Sequence, residues 1–358
     1  MRRLPPLVAY ASTWVNREVL MIKEMIGKVV EGKDLTRQQM QGCMDEIMSG
    51  QATPAQIGSF ITALRLKGET VEEITGAVIV MREKSVKIEM AKGKTVDTCG
   101  TGGDGANTFN ISTVSAFVAS GAGLSVAKHG NRGVSSKCGS ADVIKALGVN
   151  IDIPAEKVKE CIDKVDIGFL FALLFHRAMK HAIGPRREIG IRTVFNILGP
   201  LTNPAGASCQ VIGVYHGGLT EPFANVLKNL GAERAFVVHG EDGLDEISIT
   251  GKTKVSELKE KKIKTYRVGP KDFGIKKAGL EDIKSTGSCE DNARIIREIL
   301  EGKQGPKKDI VLMNASAALV AGGAASDFKQ GVEMARESID SGKAKDKLER
   351  LIELTNKK

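Results

Sequence analysis

Apolar positions along this chain follow two different rhythms, and the change falls near residue 92. From residue 21 onward, polar breaks led by a hydroxyl precede stripes at helical spacing. Thr36-x-x-Gln39, Thr53-Pro54-x-Gln56 and Thr70-x-x-Glu73 are capping boxes. In each, the hydroxyl takes an unpaired N–H of the first turn and the Gln or Glu reaches back to the cap. Ile57, Phe60, Ile61 and Leu64, then Ile74, Ala77, Val78 and Met81, recur at i, i+3, i+4 and i+7. Each helix therefore carries one face for a core or a helix–helix interface. Past Lys92-Gly93-Lys94, a short β-type segment at 95–98 and short, largely apolar runs at 124–127, 211–215, 235–239 and 309–313 predict strands. Helical stretches at about 112–121, from 140 onward and at 222–230 separate them. This alternation predicts an α/β protein: a small N-terminal helical domain, then a larger domain with a mostly parallel central sheet flanked by helices. No internal repeat or low-complexity segment interrupts it.

The 358-residue length allows two or three domains with ample core. Of the formal net charge of +9, the stretch 251–277 alone carries +7, from ten basic and three acidic residues. Ile263, Thr265 and Arg267 alternate there before Gly269-Pro270, which predicts an exposed edge hairpin protected by lysines. A nucleic-acid surface would interleave aromatics, and only Tyr266 and Phe273 occur, so a nucleic-acid partner is disfavoured. Cys43, Cys99, Cys138, Cys161, Cys209 and Cys289 form no Cys-x-x-Cys pair. Neither a zinc site nor a disulfide framework is expected, but reduced thiols in the cytoplasm. No apolar run approaches membrane-spanning length. Residues 1–20 fit neither the helical pattern nor a signal peptide, and their removal is expected to leave activity intact.

Candidate chemistry concentrates in two loops. After the first strand comes Gly100-Thr101-Gly102-Gly103-Asp104-Gly105, then Thr108, Asn110, Ile111, Ser112 and Thr113 at a helix start. Glycines let backbone N–H groups close on an anion, and the helix start adds donors. No Gly-Lys-Ser/Thr follows, so this is not a Walker loop. After the second strand come Lys128, His129, Gly130, Asn131, Arg132, Gly133, Val134, Ser135 and Ser136, with Ser140 at the next helix. Cations, amide and hydroxyls at the carboxyl ends of two strands suit a phosphate and sugar site. Cys99 and Cys138 lie inside these loops and are expected to be sensitive to alkylation.

Gly100-Thr101-Gly102-Gly103-Asp104, Asn110-Ile111-Ser112-Thr113 and Lys128-His129-Gly130-Asn131-Arg132 resemble the anthranilate phosphoribosyltransferases. So do the segment from Gly190-Ile191-Arg192-Thr193 to Asn203-Pro204 and the run Asp242-Gly243-Leu244-Asp245-Glu246. The blocks stand in family order, from about residue 21 to the C-terminus. The resemblance implies a helical domain at 21–92, joined by helices from about 170–203, and an α/β domain from 93–169 and 204–358, with the site in the cleft between them. Phosphoribosyl pyrophosphate would be held by Gly100, Gly103, Asp104, Thr108, Asn110, Ile111, Ser112 and Thr113. Lys128 through Ser136 and Ser140 would hold it from the other side. Gly100, Asn131 and Arg186 would meet anthranilate, with Arg186 on its carboxylate. Gly184-Pro185-Arg186-Arg187 departs from the usual Pro-Val-Arg order, so Arg187 is the alternative. Ser112, Asp245 and Glu246 would bind two Mg²⁺ ions.

An aniline nitrogen is already neutral near pH 7, so the implied transfer needs no strong base. His129 is the one motif residue able to relay a proton near neutrality. The resemblance also implies a homodimer through the N-terminal helices and leaves room for association with anthranilate synthase. Two other readings differ in class. A pyrimidine nucleoside phosphorylase would carry Lys-x-Ser-Gly-Arg, where this chain has Lys128-His129-Gly130-Asn131-Arg132. A non-enzymatic nucleic-acid-binding relative would have no reason to retain Asn131, Arg186, Asp245 and Glu246 together.

Overall fold

The computed structural model describes residues 21–90, 94–133 and 137–357. The 1–20 extension, junction residues 92 and 93, and Val134, Ser135 and Ser136 lie outside the described residues. Four helices open the chain: α1 (Met21–Val30), α2 (Arg37–Met48), α3 (Pro54–Lys67) and α4 (Val71–Glu83). All three capping boxes form, with the hydroxyl accepting the amide three residues on and the Gln or Glu accepting the cap amide. Such a cap contributes about 1 kcal/mol.

The α/β part continues with β1 (Thr95–Gly100), α5 (Ile111–Gly121), β2 (Ser125–Gly130), α6 (Ser140–Ala146), α7 (Ala155–Val165) and β3 (Ile167–Phe171). Three short helices follow: α8 (Ala172–Phe175), α9 (Lys180–Ile189) and α10 (Phe195–Leu198). Then come β4 (Cys209–Gly213), α11 (Thr220–Asn229), β5 (Arg234–Gly240), β6 (Thr253–Lys259) and β7 (Lys262–Val268). The chain closes with α12 (Cys289–Leu300), α13 (Pro306–Gly322), α14 (Phe328–Asp340) and α15 (Lys343–Asn356).

The strands form one sheet in the order β3-β2-β1-β4-β5-β6-β7. The first five are parallel, and β6 and β7 add an antiparallel edge. That edge is the lysine-rich hairpin the sequence predicts, with Lys262, Lys264 and Arg267 exposed on β7. Side chains alternate across the sheet: Phe236 and Val238 enter one core, and Ala235 and Val237 enter the other. The second core runs without a break from Ile57, Phe60 and Leu64 through Leu198 to Ile212 and Phe223. The helical bundle is thus seated on one face of the sheet, and α9 returns to pack on α3.

Three expectations are corrected. The run at 309–313 is not a strand but lies within α13, where almost every residue from Ile310 to Ala321 is buried. A short apolar run cannot separate a strand from a helix buried all round. Lys128 and His129 are not loop residues: β2 extends through Gly130, and both are buried. Cys138 and Cys289 are disulfide-bonded, with Cα atoms 5.3 Å apart, rather than reduced thiols. Their 151-residue separation leaves no spacing signal, and folding alone brings them together.

Candidate active site

Strand order reverses between β1 and β4, and in open α/β sheets that reversal opens a crevice at the carboxyl edge. Gly100 and Gly213, the last residues of these strands, are register partners. Neither has a Cβ, and the loop after β5 lies directly upon them. A Cβ on Gly100 would stand 2.4 Å from Asp245 Oδ2, and one on Gly213 would stand 1.5 Å from the Asp245 carbonyl oxygen.

The glycine turn bends through positive φ at Gly102 (67°), Gly103 (77°), Gly105 (73°) and Asn107 (54°). Gly102 N–H donates to Asp245 Oδ2 at 2.7 Å, and Ser112 N–H donates to Glu246 Oε1 at 3.1 Å. The N–H groups of Gly103, Asp104 and Gly105 have no partner among the described residues. Successive unpaired amides in such a turn make an anion-binding nest.

Both acids keep part of their surface, yet packing desolvates the carboxyls. Burial and then repulsion from Asp104 raise Asp245 to about 7. Burial and then Asp245 push Glu246 well above the usual range. Lys128 is the buried counter-charge. Its Nζ donates to Thr98 O at 2.5 Å and lies 3.4 Å from Ser112 Oγ. Burial lowers its pKa, opposed first by Asp97.

Burial and mutual repulsion thus disfavour charge on the pair when no cation is present, and the one buried ammonium beside it is shared with Asp97. Carboxylates and a hydroxyl are the hard donors that Mg²⁺ takes, so Asp245, Glu246 and Ser112 fit this ion. Among the described residues, no group of three or more His, Cys, Asp or Glu is placed to hold a metal. Phosphate oxygens and water would have to complete the shell.

The two ends of the loop after β2 are tied together by Asp142, which sequence reasoning missed. Asp142 Oδ2 accepts from the amides of Gly133 (2.9 Å) and Gly139 (3.0 Å). Ser140 Oγ accepts from Asn131 N–H at 3.2 Å, and Arg132 lies over the Phe171 ring at 5.7 Å. Asn110 does not point a free amide at the nest. It donates to Cys138 O (3.3 Å) and accepts from Asn292 (3.0 Å), linking this loop to α12 beside the disulfide. Thr113 is fully buried, and its hydroxyl has no partner. Ile111 is buried as well, and Thr108 forms an isolated bridge with Lys284. Buried Asp97 accepts from His129 N–H (3.1 Å) and Asn203 (2.8 Å), tying β1 and β2 to the segment before β4. A polar residue mid-strand was the only available signal for it. Cys99 is half-buried, and burial holds its thiol well above the ordinary range, which makes it a poor target for alkylation.

Arg186 stands apart from these loops on α9. It is half-buried, its guanidinium lies 5.1 Å over the Phe195 ring, and burial lowers its pKa. Arg187 is exposed.

His129 packs against His176, with ring centroids 5.2 Å apart, and its Nδ1 pairs with Gly199 O at 3.1 Å. Burial drives His129 to about 3 and His176 to about 4. Both rings are therefore neutral in the fold, while the unfolded chain protonates them below about 6.5. Their stabilisation is complete above that pH and is lost as pH falls, by about 1.4 kcal/mol per pH unit for each ring. The raised carboxyls act in the opposite sense, so the test is a difference. His129→Gln and His176→Gln should each unfold with a shallower acid-side dependence than the parent between pH 6.5 and 5. Parallel curves for parent and variants would overturn this.

Two domains of one family match the chain in order. The helical bundle domain of the glycosyl transferase family covers residues 23–85, and its a/b domain covers 92–345. The class is thus a glycosyltransferase with a sheet-edge anion site. The anthranilate phosphoribosyltransferase of Acetivibrio thermocellus is 58% identical over 336 residues, covering 94% of this chain and 97% of that protein. The chain belongs to the anthranilate phosphoribosyltransferase family. The crystal structure of the Thermus thermophilus enzyme superposes with a TM-score of 0.88 at 40% identity, covering 93% of this chain and 99% of that one. The Saccharomyces cerevisiae enzyme, solved in complex with PRPP and Mg, gives 0.85 at 32% identity, covering 93% and 97%. These matches leave the nucleoside phosphorylase and nucleic-acid-binding readings without support.

Proposed function

We infer that this chain transfers the phosphoribosyl group of phosphoribosyl pyrophosphate to the amine of anthranilate, releasing pyrophosphate, as a step of tryptophan biosynthesis. The observation that carries this reading is the abutment of two features: the unpaired Gly103–Gly105 amides and the Asp245–Glu246 carboxyl pair. An anion nest beside a cation site suits a metal–pyrophosphate rather than a bare phosphate.

The amides of Gly103, Asp104 and Gly105 hold pyrophosphate, with Gly100, Thr108, Asn110, Ile111, Ser112 and Thr113 shaping that wall. Gly130 to Gly133, with Ser140, take the ribose phosphate, and Val134, Ser135 and Ser136, to which the resemblance gives the same role, lie outside the described residues. Lys128 works from below, holding Ser112 and Thr98 in place and offsetting Glu246. Ser112, Asp245 and Glu246 hold Mg²⁺, in two ions, which when bound neutralises charge developing on the leaving pyrophosphate. Asn131, Gly100 and Arg186 receive anthranilate across a cleft between the 21–92 domain, joined by 170–203, and the 93–169 and 204–358 domain. The C–N bond forms at the anomeric carbon as the C–O bond breaks, and that electron pair leaves with pyrophosphate. The amine needs no base, and neutral, buried His129 supplies none. Positioning carries most of the rate.

Mixing the protein with phosphoribosyl pyrophosphate, Mg²⁺ and anthranilate should deplete anthranilate fluorescence. No depletion by a folded sample sinks the reading. Arg186→Lys loses the bidentate fork on the carboxylate and should raise KM for anthranilate about 10- to 100-fold. Arg187→Ala should stay within about twofold, as an exposed charge does. The reverse order of effects would move the carboxylate to Arg187.

The same reading places the chain in the cytoplasm as a homodimer through α1–α4, able to associate with anthranilate synthase. Exposed Val30 and Leu66 on those helices, 70% and 83% accessible, favour a covered face. Among the described residues no helix is long and apolar enough to cross a membrane. Sedimentation at micromolar protein should return the dimer mass.

A further inference from the structure

We propose that Arg192 is a positioning residue that sets the pyrophosphate nest from across the cleft. The proposal rests on the transferase reading above. Arg192 lies between α9 and α10, six residues beyond Arg186 and just past Gly190, whose φ of 64° ends α9. Its guanidinium lies 4.5 Å over the Tyr215 ring, and one nitrogen donates to Gly103 O at 2.6 Å. Tyr215 itself is fixed to the floor of the turn: its N–H donates to Thr101 Oγ1 at 3.0 Å. Thr101 N–H in turn donates to Gly213 O at 2.9 Å. Among the described residues, the bond from Arg192 to Gly103 O is the one hydrogen bond from the 170–203 segment to the 101–106 turn.

The acceptor matters more than the contact. Gly103 C=O and Asp104 N–H belong to one peptide plane and point in opposite directions across it. Holding the carbonyl toward Arg192 turns the Asp104 N–H the other way, as a nest donor. Gly102, Gly103 and Gly105 all have positive φ, and nothing lies within 4 Å of a Cβ built at Gly102 or Gly105. Gly102 N–H is held by Asp245 and Ala106 N–H by Asp104 Oδ1, but neither bond takes the Gly103 carbonyl, and glycine leaves that plane free to turn. Arg192 makes the choice. Only a guanidinium can stack on Tyr215 and donate sideways at once; a lysine ammonium has no plane to stack. Because Arg192 and Arg186 share one short segment, the order of the pyrophosphate side is tied to the element that carries the acceptor-binding arginine.

Arg192→Gln, Arg192→Lys, Tyr215→Phe and Tyr215→Leu test this. Arg192→Gln should raise KM for phosphoribosyl pyrophosphate about 10-fold or more, the size of one charge-assisted hydrogen bond, with a smaller change in KM for anthranilate. Arg192→Lys should fail to rescue. Tyr215→Phe should behave as the parent, and Tyr215→Leu as Arg192→Gln. The melting temperature should stay within about 2 °C in the Arg192 variants, because that side chain is exposed. In ligand-free protein, amide order parameters of residues 102–106 should drop from rigid values near about 0.85 toward about 0.6 in Arg192→Gln. Unchanged order parameters with weakened substrate binding would make Arg192 a direct ligand and overturn the positioning role. So would full rescue by lysine, or a KM within twofold of the parent. If the parent consumes no anthranilate, the transferase reading fails, while the order-parameter comparison still judges the contact.

Discussion

Glu246→Gln is expected to cut kcat/KM by about two to three orders of magnitude while making the ligand-free protein more stable. The loss follows from charge: a neutral amide binds Mg²⁺ far more weakly than a carboxylate, and removing one preorganised electrostatic partner of a leaving group typically costs that much. The gain follows from burial. Glu246 is desolvated beside Asp245 and Asp104, which disfavours its charged form, so folding without a cation must either discharge it or bury its charge uncompensated. Gln is nearly isosteric, and its Oε1 can still accept the Ser112 N–H that Glu246 accepts at 3.1 Å. Lys128 keeps Asp97 as its partner. The melting temperature without ligand should therefore rise by about 2 °C or more, and the added stabilisation by Mg²⁺ with substrate should shrink. Steady-state kinetics with melts in EDTA and in Mg²⁺ check both halves. Activity within tenfold of the parent, or a lower melting temperature, would show that Glu246 is a structural acid. Asp245→Asn should behave in the same way, since Asn can accept the Gly102 N–H.

Gly213→Ala should abolish activity and destabilise the fold together. The added methyl would stand 1.5 Å from the Asp245 carbonyl oxygen and 2.4 Å from its carbon, which are backbone atoms with no rotamer to change. The loop carrying both acids would have to lift from the sheet. Overpacking of this kind costs about 1–3 kcal/mol, and displacing the acids should leave less than about 1% of the turnover. Gly100→Ala separates the two effects. There the clash is with Asp245 Oδ2 at 2.4 Å, an atom that can swing away, so activity should fall with little loss of stability. Gly27→Ala, on α1 with nothing within 4 Å, should stabilise by up to about 1 kcal/mol and leave turnover alone. Normal turnover by Gly213→Ala would refute the floor that the two strand ends form.

Local chemistry was legible where it acts over one or two turns. The Thr36, Thr53 and Thr70 boxes state their helices outright, because cap and partner are three residues apart. The glycine turn states its positive-φ backbone for the same reason. Periodicity failed at 309–313, where the four apolar residues Ile310 to Met313 fit a strand and a buried helix equally, and only the length of α13 decides. It failed again at Lys128 and His129, whose polar character suggested a loop although β2 carries them into the interior. Cys138 and Cys289 show the limit of spacing rules, which treat pairs close in sequence.

By itself, the sequence determined the helical lobe, the alternating α/β part, the glycine turn after the first strand and the family to which the ordered motifs belong. These follow from short-range periodicity, capping and backbone freedom. Only the tertiary structure decided that Gly100 and Gly213 form one floor beneath Asp245. It also decided that Lys128 is a buried counter-charge, that His129 is a buried packing ring, and that Arg192 reaches Gly103 from the segment after α9. The physical reason is distance along the chain. Desolvation, charge pairing and steric exclusion act between residues that share no local pattern, and they exist only once the sheet has brought those residues together.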